Sequence, residues 1–194
     1  MSPVDAQRIV VVAALREEAA YVAAHHELVI TGIGKTAAAV AVTRAIITHT
    51  AAGVAPEDVL VVNIGTAGAL HDGIHGLHEI GTVINTDMNA DVIKSLGTDP
   101  HERQVVDASL PTVLASGDVF VTQREVRARL AAQASLVDME GYAVAYACRR
   151  LGARLRMAKH VSDNADESAH DWRAAVDGSA RELAAWLEEV IRRS

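Results

Sequence analysis

The chain has one cysteine, Cys148, and six aromatic residues among its 194. A lone thiol cannot form an internal disulfide or a cysteine metal cluster, and it fits a reducing compartment. With one Phe, two Trp and three Tyr, the core has to come from Ala, Val, Ile and Leu. Helices packed closely on a sheet are built that way. There is no basic excess: 18 Lys and Arg stand against 25 Asp and Glu, a net charge of −7. Neutralising phosphates needs a basic surface, so no nucleic-acid partner is expected. No apolar run reaches membrane-spanning length without a charge or glycine. The opening MSPVDAQR carries an acid and lacks the apolar stretch of a signal peptide. No membrane contact and a cytoplasmic location are expected.

What remains is half apolar and 22% charged, which excludes disorder and suits one domain over residues 1–194. Short β-branched runs alternate with alanine-rich stretches. Strands are predicted at 8–14, 27–31, 58–63, 79–86, 110–116, 136–138 and 154–161. Helices are predicted at 15–24, from Gly32–Lys35 to about Thr50, at 122–132 with Thr122 as N-cap, at 139–151 and at 168–193. The glycine-bearing stretch 64–70 reads as a loop, and 87–107 as a polar, irregular surface segment. The alternation implies an α/β fold with a central, largely parallel sheet flanked by helices.

In such sheets ligands bind beyond the carboxyl ends of the strands. Glu17, Glu18, Asn63, Thr66, Ser116, Asp118, Asp138, Glu140 and the 162–166 segment fall there. Several carboxylates on one rim, without metal-ligand spacing, suit acid–base work on a neutral or cationic substrate.

Five motifs occur in order: G-I-G-K at 32–35, N-I-G-T-A-G at 63–68, S-G-D-V-F-V at 116–121, V-D-M-E-G at 137–141 and S-D-N-A-D at 162–166. Together, over about residues 8–170, they resemble the nucleoside phosphorylase/nucleosidase superfamily. Within it they are most similar to the 5′-methylthioadenosine/S-adenosylhomocysteine nucleosidases. The resemblance implies a three-layer α/β sandwich, a homodimer, no metal or organic cofactor, and hydrolysis of a purine nucleoside to free base and ribose derivative. It also implies roles. Glu18 orients the attacking water, and Thr66 lies beside sugar and water. Phe120 stacks on the purine and Val121 meets its edge through backbone groups. Glu140 accepts from the ribose hydroxyls, with Met139 against the sugar, and Asp163 protonates N7 of the leaving base.

The chain departs from that family in places. Only residues 19–31 separate Glu18 from Gly32, where the family inserts a strand hairpin, implying a shortened sheet or pocket wall. Lys159 stands where an arginine is usual, Asp138 replaces a glutamate, and Met88-Asn89 stand for a His-Asp pair.

Plainer readings stay open beside these. Glu17 and Glu18 fit a solvated first helical turn, Glu140 an ordinary first-turn acid, Asp163 the N-cap of the last helix, and Phe120 the core. Arg16 keeps phosphorolysis available, although helical geometry sets it about 200° round from Glu18, facing elsewhere. A futalosine-type substrate and an inactive nucleoside-binding protein are the other readings. His71, His75 and His78 form H-x-x-x-H-x-x-H, but Gly73 and Gly76 between them favour a surface loop over a metal site.

Overall fold

The computed structural model describes residues 8–165 and 172–193. Among the described residues, nine strands form one mixed sheet. They are β1 (Arg8–Ala13), β2 (Glu27–Ile30), β3 (Val59–Ala69), β4 (Leu77–Glu79), β5 (Thr82–Asn85), β6 (Arg103–Val105), β7 (Val113–Ser116), β8 (Leu136–Asp138) and β9 (Arg154–Asp163). The main path runs β2-β1-β3-β8-β7-β5-β6, and β9 lies along β3 with β4 beyond it. Five helices accompany the sheet: α1 (Lys35–Ala51), α2 (Ala90–Ser95), α3 (Arg124–Ala131), α4 (Gly141–Leu151) and α5 (Trp172–Arg193).

Two-residue periodicity sorts the strands onto the two faces. Val10 and Val12 of β1, with Val59 and Val61 of β3, pack under α1 and α4. Val11, Ala13, Leu60, Val62 and Ile64 point the other way, against Leu183, Trp186 and Leu187 of α5. Alanines at 38, 45, 143 and 147 let α1 and α4 lie close. Gly152, left-handed at φ 78°, ends α4 as glycines commonly do. Cys148 is part of this packing, and burial pushes its thiol up to about 12.

Several predicted elements change in three dimensions. Residues 15–24 form successive turns rather than a helix, held by i→i+3 bonds such as Ala19 N–H to Arg16 O at 3.2 Å. The carboxylate of Glu18 turns inward there and accepts from the Leu15 amide, and that competes with a regular helical ladder. The 64–70 stretch is not a loop. It continues β3 to Ala69, because β9 pairs with it from Leu60 to Gly68. The predicted strand 79–86 breaks between Ile80 and Gly81, where the chain changes partner: Ile80 N–H donates to Met157 O and Gly81 N–H to Thr112 O. The segment 87–107 contains α2, whose N-cap Asn89 accepts from the Val92 amide, and β6, antiparallel to β5. Gln123, not Thr122, precedes α3, and its side chain makes no capping bond. The sheet is mixed because β8, β4 and β6 each run antiparallel to a neighbour. Within the short 19–31 stretch the chain already returns as β2, parallel to β1 at one edge of the sheet.

Candidate active site

A pocket of about 360 Å³ opens where β3, β8 and β9 end. Glu18, Thr66, Phe120, Val121, Met139, Glu140 and Asp163 all line it. These seven come from five separate stretches of chain, so the sheet alone brings them together. The pocket is rimmed by apolar Leu15, Ile33 and Val119 as well.

Glu18 is buried, whereas its neighbours Arg16 and Glu17 are exposed. One carboxylate oxygen accepts from both the amide and the hydroxyl of Thr66, each at 2.7 Å, and the other from the Leu15 amide at 3.1 Å. Arg16 thus faces away from Glu18, as the sequence suggested. The cause is these tertiary bonds, not the helical geometry invoked for it. Gly65 makes the approach feasible: a Cβ there would lie 3.3 Å from Glu18 Oε1 and 3.1 Å from Lys159 Nζ.

Glu140 is the N-cap residue of α4, yet it makes no capping bond. Its carboxylate instead accepts from the Gly34 amide at 2.8 Å, across the pocket floor. Gly34 adopts φ 96°, a conformation open to glycine, and this aims its N–H at the carboxylate. Burial, and next the charge of Asp138, push the Glu140 carboxyl up to about 7, against the pull of Lys159 and the Gly34 amide.

Beneath Glu140 lies a fully buried ion pair, Lys159 Nζ to Asp138 Oδ2 at 2.9 Å. Burial works against the Lys159 ammonium, but Asp138, Glu140 and Glu18 together outweigh it and raise the group above its ordinary value. Asp138 also accepts from the Ser116 hydroxyl and the Gly141 amide. Losing one partner would strand a buried charge at a cost of about 3–5 kcal/mol. In the sequence Lys159 stands out only as a departure from the family. The strand buries it beside Met157 and Ala158, and a buried cation demands a counter-charge.

Asp163 ends β9. Its oxygens accept from the Ala165 amide at 2.8 Å and the Ser162 hydroxyl at 2.7 Å, so it is a strand-end residue held by local donors. Phe120 lies at the mouth with about half its surface exposed, which removes the core reading. Its loop is tethered: the Lys35 amide donates to Asp118 at 2.7 Å, and the Lys35 ammonium reaches Asn85 and Asp87. That Lys35 serves as a strut is visible only in the structure. His71 and His75 lie in the loop before β4, as expected, but His78 is in β4 because that strand pairs with β9; each of the three sets a ring nitrogen against a backbone carbonyl.

Residues 109–192 match the profile of the Phosphorylase superfamily. An aminodeoxyfutalosine nucleosidase of Helicobacter pylori is 38% identical over 82 residues, which are 41% of this chain and 36% of that protein. The chain therefore spans, in sequence, about a third of the curated relative's length. In structure, a futalosine hydrolase mutant of H. pylori superimposes with a TM-score of 0.81 at 24% identity, covering 97% of this chain and 100% of that one. The 5′-methylthioadenosine/S-adenosylhomocysteine nucleosidase of Neisseria meningitidis, in complex with methylthio-immucillin-A, gives 0.79 at 23% identity, covering 97% and 100%. The sheet, the pocket at its strand ends and these likenesses agree: residues 109–192 match the Phosphorylase superfamily, and the chain as a whole has the fold of these solved nucleosidase structures.

Proposed function

We propose that the protein is a nucleosidase that hydrolyses the N-glycosidic bond of an adenine nucleoside of the 5′-methylthioadenosine or S-adenosylhomocysteine type. The observation that carries the reading is the pocket itself. A buried carboxylate, Glu18, sits at one wall beside Thr66, Glu140 lies on the floor, and Asp163 closes a third side. Breaking the bond leaves positive charge on the ribose and negative charge on the base. Anionic groups at the sugar and an acid at the base answer both. A water attacks C1′ and passes its proton to Glu18, while the C1′–N9 electrons move into the purine and Asp163 gives N7 a proton. Phe120 supplies the stacking face for the base, Val121 its edge contact, and Met139 packs on the sugar.

A futalosine-type nucleoside is the second reading, favoured by the name of the curated relative. A homodimer is part of the proposal. Val40 and Ile47, seven residues apart on α1, are exposed and apolar, and exposed Ile33, just before the helix, lines the pocket with Val119 and Phe120. Free base released from a panel of adenine and futalosine-type nucleosides, with and without phosphate, tests the function. Release from one class in phosphate-free buffer supports it; binding without release from any of them leaves a nucleoside-binding protein.

Glu140 adds a pH signature. Only its carboxylate accepts from two ribose hydroxyls, and with a value of about 7 that form is lost as pH falls through neutrality. The kcat/KM of the free enzyme should therefore drop on the acid side with an apparent value near 7. In Glu140→Gln the whole profile should lie lower and this acid limb should vanish. An unchanged limb in the variant would assign it to another group.

A further inference from the structure

Far from the pocket, the short segment between β1 and β2 meets the C-terminal half of α5 through three metal-binding side chains. One ring nitrogen each of His25 and His26 and a carboxylate oxygen of Glu188 lie within 4.8 Å of one another. His26 Nε2 is 2.8 Å from Glu188 Oε1, and the two imidazole centroids are 4.0 Å apart, tilted by 47°. The His26 side chain is 9% exposed and Glu188 47%. The donors therefore run from exposed His25 to the nearly buried ring of His26, with the Glu188 carboxylate half-exposed between water and protein.

We propose that His25, His26 and Glu188 form a zinc site that fastens the segment carrying Glu18 to α5. Two imidazoles and a carboxylate are a donor set that Zn²⁺ takes readily, with water as the remaining ligand. Tetrahedral bonds of about 2.0–2.1 Å place neighbouring donors about 3.3 Å apart, so modest side-chain rotations close the cluster on a metal. None of the three residues lines the substrate pocket, so a metal here would brace the fold rather than act on substrate. Its location gives it a purpose. Residues 15–24 lack a helical ladder of their own and are tied to α5 by side chains. The Tyr21 hydroxyl donates to Asp177 at 2.7 Å, and the Arg181 guanidinium lies over the Tyr21 ring at 4.1 Å. Just beyond the same end of the segment His26 already meets Glu188, and zinc would replace that contact by coordination that also engages His25, joining residues far apart in sequence.

The test uses the untagged full-length chain, stripped with a chelator and titrated with Zn²⁺ alone. The expected result is one zinc per chain and a saturable rise in Tm. His25→Ala and Glu188→Gln, both at accessible positions that the fold tolerates, should each weaken zinc binding by at least about tenfold and abolish the Tm rise. His75→Ala, in the histidine loop, should bind zinc as the parent does. A chain that retains no zinc, or variants at 25 and 188 that bind it as tightly as the parent, would overturn the proposal. So would loss of binding in His75→Ala.

Discussion

Asp163→Asn is expected to lower kcat by about 10²–10⁴, the usual contribution of a positioned general acid. Asparagine keeps the size of the side chain. Its oxygen still accepts from the Ala165 amide, and the Ser162 hydroxyl can turn to accept from the new NH₂. The fold and the affinity for adenine nucleosides should thus survive, while no carboxylic proton remains for N7. A riboside whose leaving group departs without protonation separates chemistry from damage. On that substrate the variant should approach parental turnover. Near-normal turnover on adenine nucleosides, or an equal loss on both substrates, would remove Asp163 from the acid role.

Glu18→Gln should be as severe, and it decides between water and phosphate as nucleophile. The parent is expected to release base at full rate without phosphate and to yield free ribose derivative. A phosphorylase has to hold a dianion at the sugar face; the proposal sets Glu18 there, a buried carboxylate, and Arg16 is exposed. Glutamine can still take the two Thr66 bonds through its oxygen. Its NH₂ then faces the Leu15 N–H, donor against donor, and it has no basic oxygen for a proton from water. Base release should fall by about 10²–10⁴ with little change in the fold. Strict phosphate dependence in the parent, with ribose 1-phosphate as product, would reverse the assignment and turn attention to Arg16.

Much of this frame was legible because local patterns carry it. The Val-rich run 8–13 could only be a short buried strand, and the alanine-rich stretch after Gly34 could only be a helix. Four of the five motifs carry six residues that now line one pocket, and Glu18, from the turns after β1, is the seventh. Elements failed where a distant partner overruled the local pattern. Gly65 and Gly68 read as turn formers, yet β9 runs alongside and draws them into β3. Residues 15–24 have helical composition, but Thr66 holds the carboxylate of Glu18 inside and the ladder gives way to turns.

By itself, then, the sequence determined the α/β class, the alternation of buried faces along each strand, and which residue types gather at the strand ends. These follow from periodicity and spacing, which act over a few residues. The tertiary structure decided the rest. It set the Gly34 amide on Glu140, fixed Lys159 to Asp138 beneath it, and carried Glu188 to His25 and His26. Each of those contacts joins groups distant in the chain, and its strength depends on burial and on an approach of a few ångströms. Both are properties of the packed molecule that no local pattern encodes.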